Sequence, residues 1–599
     1  MSRCLALAAL ALAGAASAAP APLAPLKTGL ARGKNLLVVT LDTTRADRLG
    51  CYGDARAETP HLDRLASQGL RFTEAVSVAP VTLVAHSSLF TGTYPTTHGV
   101  RHNAEYRLRP EAATLAEALS AAGYDSAAFV SAFVLDARYG LDQGFARYDD
   151  RVETAVGAAF SAGTNERRAD RTTDAALGWL AERPAGKPFF AWVHYFDPHA
   201  PYLPPAPYDQ RFAGRLYDGE IGFMDAQLGR LLDGLLARGL DRDTVVLVAG
   251  DHGESLGEHG ESTHDIFVYD ATLRVPLLLR VPGVPAGVVS DRQVSLVDVL
   301  PTLLDLLGVK DAQPRDGRSL VGSRAEPGRA VYAESLVPYL DFGWAPLHAL
   351  RRLGDKYVLA PHAEYYDLAK DPQETRNLVP AKGAPPGEAQ RLQRSLQSLL
   401  EKSAAAAAAS GADPEARERL ESLGYLGGAG PDSSSGVKDP KEMVAVSEAI
   451  IQANGLLASN QPRQAITLLE AQLPRSPRDR SLLQSLSKAY LRAQRLKDAE
   501  RVLRAFRDIK PKSDTSLLLA QILILDGRHE EAARLLDEAQ TLDPKHGGVF
   551  IARGDLLARQ GKRDEARAAY EKARQVDPYR ASGAAEKRLQ DLERGAPRR

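Results

Sequence analysis

The sequence is poor in cysteine and has no apolar run long enough to cross a membrane. Its 599 residues include 2 cysteines, Cys4 and Cys51, so a chain that has lost its leader keeps one thiol and no internal disulfide. No run of about 18 apolar residues occurs, which argues against a transmembrane anchor. Charge of neither sign dominates, at a net −1, and no nucleic-acid recognition motif is present.

The first 18 residues have the pattern of a secretory signal peptide. Arg3 supplies a positive charge, CLALAALALAGA is a short apolar run, and Ala16 to Ala18 have the small-residue form of a cleavage site. We therefore expect the chain to be exported to a periplasmic or extracellular location. A lipid anchor is not expected, because Cys4 precedes the apolar run instead of following it.

Residues 441–590 contain a repeat of 33 to 34 residues. An alanine expected between packed helices recurs with this period, at Ala465, Ala499, Ala532 and Ala566. A proline expected to end the second helix recurs with the same period, at Pro477, Pro511, Pro544 and Pro578. The pattern resembles the tetratricopeptide repeat, which stacks helix pairs into a superhelix with a concave groove. We expect this region to bind a protein or peptide partner. Residues 401–440, rich in Ala, Gly and Ser, are predicted to be a linker.

Within a predicted domain of residues 33–400, residues 33–310 alternate strand-like and helix-like stretches. NLLVVTL, PFFAWVHYF and TVVLVAG are continuous apolar runs, which are typical of strands buried on both faces. Helical patterns such as DAQLGRLLDGLLARGL lie between them. This order predicts an α/β sandwich with a mostly parallel sheet, whose ligands collect at the carboxyl ends of the strands.

Acidic and imidazole side chains follow these predicted strands. Asp42 comes after the first run, Asp251 and His252 come after TVVLVAG, and Asp197 and His199 come after PFFAWVHYF. Two carboxylates and an imidazole form a suitable ligand set for a divalent metal ion. Because imidazole disfavours calcium, manganese or zinc is expected.

Five segments in order resemble the motifs of the sulfatase-like branch of the alkaline phosphatase superfamily: NLLVVTLDTTRADRLGCYG, TLVAHSSLFTGTYPTTHGV, HYFDPHAPY, GDHGESLGEHG and EYYDLAKDPQETRNL. The resemblance covers residues 33–378. It implies the alkaline-phosphatase-like fold with a smaller C-terminal subdomain at residues 311–400, and a covalent nucleophile beside a metal.

Thr82 falls where a sulfatase has the Cys or Ser that becomes formylglycine, and a threonine cannot undergo that conversion. With His86 in place of the motif's Arg, the segment is more similar to the Thr-x-Pro-x-His form of the superfamily's phosphodiesterases and phosphoryl transferases, although Val84 replaces the Pro. The resemblance implies that Thr82 is the nucleophile and a metal ligand with Asp42, Asp251 and His252. The competing interpretation is that Thr82 is a helix N-cap.

Other roles are implied by the resemblance. His199 and His264 match substrate-contacting positions, and His264 is a candidate general acid. His86 and Asn103 are candidate substrate-binding residues, and Asp197 with His199 are candidates for a second metal site.

The sequence leaves two classes of function open. The first is a metal-dependent hydrolase or transferase that cleaves phosphate (di)esters or sulfate esters through the threonine. Phosphate diesters are favoured over sulfate esters, because Thr43 replaces the second Asp that sulfatases usually have. The alternative is an inactive sulfatase-like scaffold that presents the repeats to partners.

Overall fold

The computed structural model describes residues 26–103, 106–152, 167–184, 186–322, 328–409, 438–509, 511, 513–577 and 581–594. The predicted signal peptide and most of the predicted linker lie outside these ranges. Among the helices described, none is long and apolar enough to span a bilayer.

The chain folds around an eight-stranded sheet with the order β4-β3-β5-β1-β6-β7-β2-β8. Neighbouring strands pair in parallel except at β7, which runs antiparallel to both β6 and β2. The predicted α/β fold with a mostly parallel sheet is therefore confirmed. The strands are β1 (Asn35–Leu41), β2 (Leu70–Val76), β3 (Asp125–Phe129), β4 (Arg147–Asp149), β5 (Phe189–Tyr195), β6 (Thr244–Gly250), β7 (Arg274–Arg280) and β8 (Val288–Ser295).

Helices cover both faces of this sheet, which is why its central strands are apolar on both sides. In β1, Leu36 and Val38 face one core, and Leu37 and Val39 face the other. The helices around the sheet are α1 (Pro60–Gln68), α2 (Thr82–Thr91), α3 (Pro95–His98), α4 (Leu115–Ala121), α5 (Ala169–Glu182), α6 (Tyr208–Arg211), α7 (Leu216–Ala237), α8 (Asp270–Leu273) and α9 (Val299–Leu307).

A smaller antiparallel sheet follows, with the order β12-β11-β10-β9. A buried ion pair joins it to α8 beside the main sheet: Lys356 Nζ lies 2.6 Å from an Asp270 oxygen, and Glu374, which follows β12, lies 2.7 Å from the same nitrogen. Part of the predicted linker, residues 401–409, is the end of a helix instead. The elements here are β9 (Val331–Ser335), α10 (Val337–Phe342), β10 (Leu347–Arg352), β11 (Asp355–Leu359), β12 (Glu364–Asp367) and α11 (Gly387–Ala409).

The C-terminal region is a series of antiparallel helix pairs. The four repeated alanines predicted to lie between helices, Ala465, Ala499, Ala532 and Ala566, are all fully buried. Their small side chains let paired helices approach closely. The helices are α12 (Pro440–Ala458), α13 (Pro462–Glu470), α14 (Arg480–Arg492), α15 (Leu496–Ile509), α16 (Ser513–Leu525), α17 (His529–Leu542), α18 (Gly547–Arg559), α19 (Arg563–Val576) and α20 (Ser582–Glu593).

Close approach in the last helix pairs gives a first prediction. A Cβ on Gly554 would lie 2.3 Å from the Tyr570 ring, which is buried and held by a hydrogen bond to Asp555. Gly554→Ala should therefore lower the free energy of unfolding of the repeats by about 1–3 kcal/mol. Urea unfolding followed by helical circular dichroism measures this change.

The matched control is Gly455→Ala in α12, where an added Cβ meets nothing within 4 Å. Because alanine favours the helix, this variant should be neutral or more stable by up to about 1 kcal/mol. Equal effects of the two substitutions would contradict the predicted packing.

Candidate active site

The candidate site lies at the carboxyl edge of three adjacent parallel strands. β1 pairs with β5 on one side and with β6 on the other, so the chain segments that follow them emerge side by side. Asp42 follows β1 directly, and Asp251 and His252 follow β6. All three side chains are fully buried. The structure thus brings together the three residues that the sequence predicted as metal ligands.

The backbone turns sharply after Asp42. Thr43 has a φ of 46°, which is rare for a β-branched residue and marks strain. Its hydroxyl donates to the Pro198 carbonyl, and its carbonyl accepts a hydrogen bond of 2.7 Å from the Tyr217 hydroxyl. These contacts hold the turn that places the Asp42 carboxylate inside the site.

Unpaired polar atoms point to a bound cation. Both Asp42 carboxylate oxygens, Asp251 Oδ2 and His194 Nε2 are buried without a hydrogen-bond partner. The other oxygen of Asp251 accepts hydrogen bonds from the backbone N–H groups of Thr43 and His252, which fixes the carboxylate. Buried carboxylates without partners are costly unless a cation or proton neutralises them. Asp42, Asp251 and His252 offer ligand atoms within 4.8 Å of one another, so the set fits a metal ion.

Hydrogen bonds indicate which imidazole nitrogens are available to a metal. His252 Nδ1 lies 2.9 Å from the Gly253 carbonyl, so Nδ1 carries the proton and Nε2 presents a lone pair. At His194 the pattern is reversed, because the Ser131 N–H donates to Nδ1 and the proton lies on Nε2. His194 Nε2 is 3.3 Å from Asp42 Oδ2, an electrostatic contact that lacks the alignment of a hydrogen bond. His252 is therefore suited to bind a metal, and His194 is suited to orient Asp42.

The electrostatics of the carboxylate pair also favour a cation. Burial raises the pKa of Asp251 well above its ordinary value, and the Asp42 carboxylate raises it further. At Asp42 burial also acts to raise the pKa, but neighbouring imidazoles, His194 first, outweigh it and hold the pKa below its ordinary value. Burial and the charge of His264 lower the pKa of His252 to about 3, so this imidazole is neutral. A bound metal would keep both carboxylates ionised.

Thr82 is the first residue of α2 and not its cap. The N-cap position is Val81, and no side chain at that position caps the helix. The Thr82 hydroxyl instead lies 3.3 Å from His252 Nε2, next to the carboxylates. The helix N-terminus adds a favourable field for negative charge at this hydroxyl. The N-cap interpretation of Thr82 is therefore wrong.

His86 does not face a substrate. It is fully buried one turn along α2, with Nδ1 2.8 Å from the Thr82 carbonyl and Nε2 2.9 Å from the Thr40 hydroxyl. Burial lowers its pKa to about 3. The expected substrate-binding role of His86 is corrected: both ring nitrogens are used to fix the first turn of α2, and with it Thr82. These bonds also leave neither nitrogen free for the second ligand group that His86, His194 and Asp251 could form.

Asn103 lies at the start of the same helix. Its Oδ1 accepts a hydrogen bond of 2.9 Å from the Leu83 N–H, which supplies the cap that Val81 lacks. This bond sets the amide so that its NH₂ group is directed away from Leu83. Asn103 therefore has a structural role beside Thr82, and its expected role toward substrate stays a prediction.

His199 and His264 form a second wall of the site. The His264 ring centroid lies 5.0 Å from that of His199 and 4.8 Å from that of His252. His264 Nδ1 is 2.9 Å from Glu254 Oε1, and the Tyr202 hydroxyl donates to the other Glu254 oxygen. Burial would lower the pKa of His264, but the adjacent carboxylates outweigh it and raise the pKa to about 10. His264 is thus a buried cation paired with Glu254.

The expected second metal site at Asp197 and His199 does not form among the described residues. Asp197 Oδ2 accepts a hydrogen bond from the Ala169 N–H at the start of α5, and His199 Nδ1 bonds the Ala200 carbonyl. Neither side chain belongs to a group of three potential ligands.

Sequence reasoning missed His194 and Thr40, which occupy facing positions on β5 and β1. A histidine inside the apolar run PFFAWVHYF was the available signal, since a buried imidazole needs partners.

Together, the parallel sheet and the buried Asp and His cluster at its edge define an alkaline-phosphatase-like α/β protein. A sequence model described as Sulfatase matches residues 34–309, and one of the N-sulphoglucosamine sulphohydrolase C-terminal region matches residues 257–405. A tetratricopeptide repeat-like domain matches residues 453–594. Residues 34–405 therefore match sulfatase-family sequence models on the alkaline-phosphatase-like fold, and residues 453–594 match a tetratricopeptide repeat-like domain.

Individual sulfatases and a solved structure are similar to the same part of the chain. An ulvan-active sulfatase of Formosa agariphila is 29% identical over 61% of this chain and 80% of its own. An arylsulfatase of Clostridium perfringens is 24% identical over 58% of this chain and 90% of its own. The phosphonate monoester hydrolase of Agrobacterium radiobacter has the same fold, with a TM-score of 0.53 and 24% identity over 62% of this chain and 96% of its own.

The ligand set gives a second prediction. We expect Asp251→Ala to abolish metal binding, because Asp251 supplies one of the two carboxylates of the candidate ligand group and no other described carboxylate belongs to that group. Elemental analysis of purified, dialysed protein measures the metal content. The control is Asp197→Ala, which removes a buried carboxylate from a neighbouring strand end and should keep the metal. Metal retained in Asp251→Ala, or lost in Asp197→Ala alone, would contradict the assignment.

Proposed function

We propose that the chain is a metal-dependent esterase that cleaves sulfate esters or phosphate diesters through a covalent ester on Thr82. One observation carries the proposal: the Thr82 hydroxyl lies 3.3 Å from His252 Nε2, among buried carboxylate oxygens without partners. An inactive scaffold has no need to bury unpaired charges, which makes the scaffold alternative less favourable.

Asp42, Asp251, His252 and Thr82 would hold the metal. When bound, a divalent ion of the manganese or zinc type would lower the pKa of the Thr82 hydroxyl and offset charge on the transferred group. His194 orients Asp42, and His86 and Asn103 hold the helix start on which Thr82 lies.

The chemical roles follow from position. The Thr82 hydroxyl gives its proton to solvent, its oxygen attacks sulfur or phosphorus, and the bond from that atom to the leaving oxygen breaks. His264, kept protonated by Glu254 and Asp265, donates a proton to that leaving oxygen. Water or another acceptor then attacks the Thr82 ester. Whether release is hydrolysis or transfer depends on the acceptor.

Charge balance favours a singly charged substrate centre. A divalent ion is neutralised by Asp42 and Asp251, and the His264 cation is neutralised by Glu254. Two nearby guanidinium groups are also paired: Arg45 with Asp47 and Glu258, and Arg101 with Glu334. A sulfate ester and a phosphate diester both carry one negative charge, whereas a phosphate monoester dianion would add uncompensated charge.

The named relatives act on sulfate esters, and a phosphonate monoester hydrolase shares the fold. Sulfate esters are therefore a first substrate class to test beside phosphate diesters. The repeats would bind a protein or peptide partner in their concave groove. Export through the N-terminal leader would place the enzyme in the periplasm or outside the cell.

The nucleophile gives a third prediction. Thr82→Ala should lower kcat on aryl sulfate and bis-aryl phosphodiester substrates by at least about a thousandfold, because no hydroxyl remains to attack. Folding stability should fall by only about 1 kcal/mol, since the hydroxyl does not cap α2 and the main loss is one buried methyl group. Initial rates of metal-loaded protein and urea unfolding measure the two effects.

Thr82→Ser is the matched control and should keep partial activity, because it retains the hydroxyl. Intact-protein mass spectrometry after rapid quenching should detect a sulfuryl or phosphoryl adduct on the wild type and none on Thr82→Ala. Turnover by Thr82→Ala near the wild-type rate would refute covalent catalysis by this residue.

A further inference from the structure

The first repeat helix, α12, docks on the sulfatase domain through several polar contacts. The Ala345 N–H donates to the Lys438 carbonyl at 2.9 Å, and the His362 N–H donates to Asp439 at 2.9 Å. Lys441 Nζ bonds the His362 carbonyl and the Glu364 carboxylate. The helix is therefore joined to the small antiparallel sheet along its first turn.

The same helix reaches the loop that carries His264. We define the His264 loop as residues 253–267, which follow the metal-ligand candidate His252. Glu448 Oε1 accepts a hydrogen bond of 2.9 Å from the Ser262 N–H in this loop. Nearby, Gly260 passes so close to α12 that a Cβ there would lie 3.4 Å from Val444.

Ser262, whose N–H group bonds Glu448, lies two residues before His264. Within the loop, the Ser255 N–H donates to the Thr263 carbonyl at 2.6 Å, and His264 bonds Glu254. Asp265 has a φ of 92°, so the backbone directly after His264 is strained and needs external support. Glu448 supplies a contact from outside the sulfatase fold just before this strained segment.

A second repeat helix contacts the sulfatase-like domain at Asp341. Ser481, at the start of α14, donates to the Asp341 carbonyl at 3.4 Å. The Asp341 carboxylate lies 3.2 Å from His102 Nε2, and His102 precedes the helix-capping Asn103. The repeats therefore contact the His264 loop directly and reach the segment before Asn103 through Asp341.

We propose that α12 is part of the catalytic unit and that Glu448 is a positioning residue for the His264 loop. The inference rests on the proposed function, because it assigns His264 a role in turnover. It also implies that a partner bound to the first repeats can change turnover through this contact. The repeats are then not an independent module.

The test compares Glu448→Ala with Glu448→Gln in the full-length, metal-loaded protein. The glutamine keeps an oxygen that can accept from the Ser262 N–H, and the alanine does not. We expect Glu448→Ala to speed hydrogen–deuterium exchange in residues 253–267 and to lower kcat by roughly tenfold or more, with a smaller change in KM. Glu448→Gln should restore the wild-type exchange rate and kcat. Both variants should keep the wild-type metal content.

The matched control is Glu530→Ala, which removes an exposed carboxylate from α17. It should change neither the hydrogen–deuterium exchange of residues 253–267 nor kcat. Unchanged exchange in Glu448→Ala would overturn the proposal, as would faster exchange with unchanged kcat. If the wild type turns over neither substrate class, the proposed function fails, and the exchange experiment alone then decides whether Glu448 holds the loop.

Discussion

Two buried carboxylates that face each other are the constraint on which the rest of the site depends. Asp42 and Asp251 follow adjacent parallel strands and are both fully buried, and three of their four side-chain oxygens have no hydrogen-bond partner. Such a pair cannot be ionised together in a water-excluded site without a compensating cation. Three features fit this need for a cation. The strained turn at Thr43 places the Asp42 carboxylate in the site, the His252 tautomer presents a lone pair, and the imidazole of His194 lies beside Asp42.

In the proposed mechanism, the surrounding residues divide into groups that react and groups that hold them in place. Thr82 and His264 face the centre, and His86 and Asn103 are used within the protein to fix the start of α2. In the proposed function a threonine takes the place of the modified cysteine or serine of sulfatases, and these hydrogen bonds hold it there. Its hydroxyl is held at a helix start beside the carboxylates without being consumed as a cap.

The sequence was sufficient to predict the central strands and the meeting of Asp and His side chains at their carboxyl ends, because continuous apolar runs mark buried strands and ligand sites form at that edge. β1 and β6 have the residues expected for them, and the parallel sheet brings Asp42 to Asp251. The roles of His86, Asn103 and His194 could not be predicted in this way. They depend on which side-chain atoms meet across the sheet and the helix start, and that is set by register and packing between distant segments.

The placement of the repeats follows the same logic. A period of 33 to 34 residues predicts stacked helix pairs but contains no information about the surface on which the first pair docks. That surface is set by single polar contacts, such as Glu448 with the Ser262 N–H, between segments 186 residues apart in the chain. This contact reaches the loop of His264. The repeats, a type of domain that commonly binds partners, are therefore in direct contact with the candidate active site. A hydrolase of this construction can link substrate turnover to the state of its repeats without any change in the residues that bind the metal.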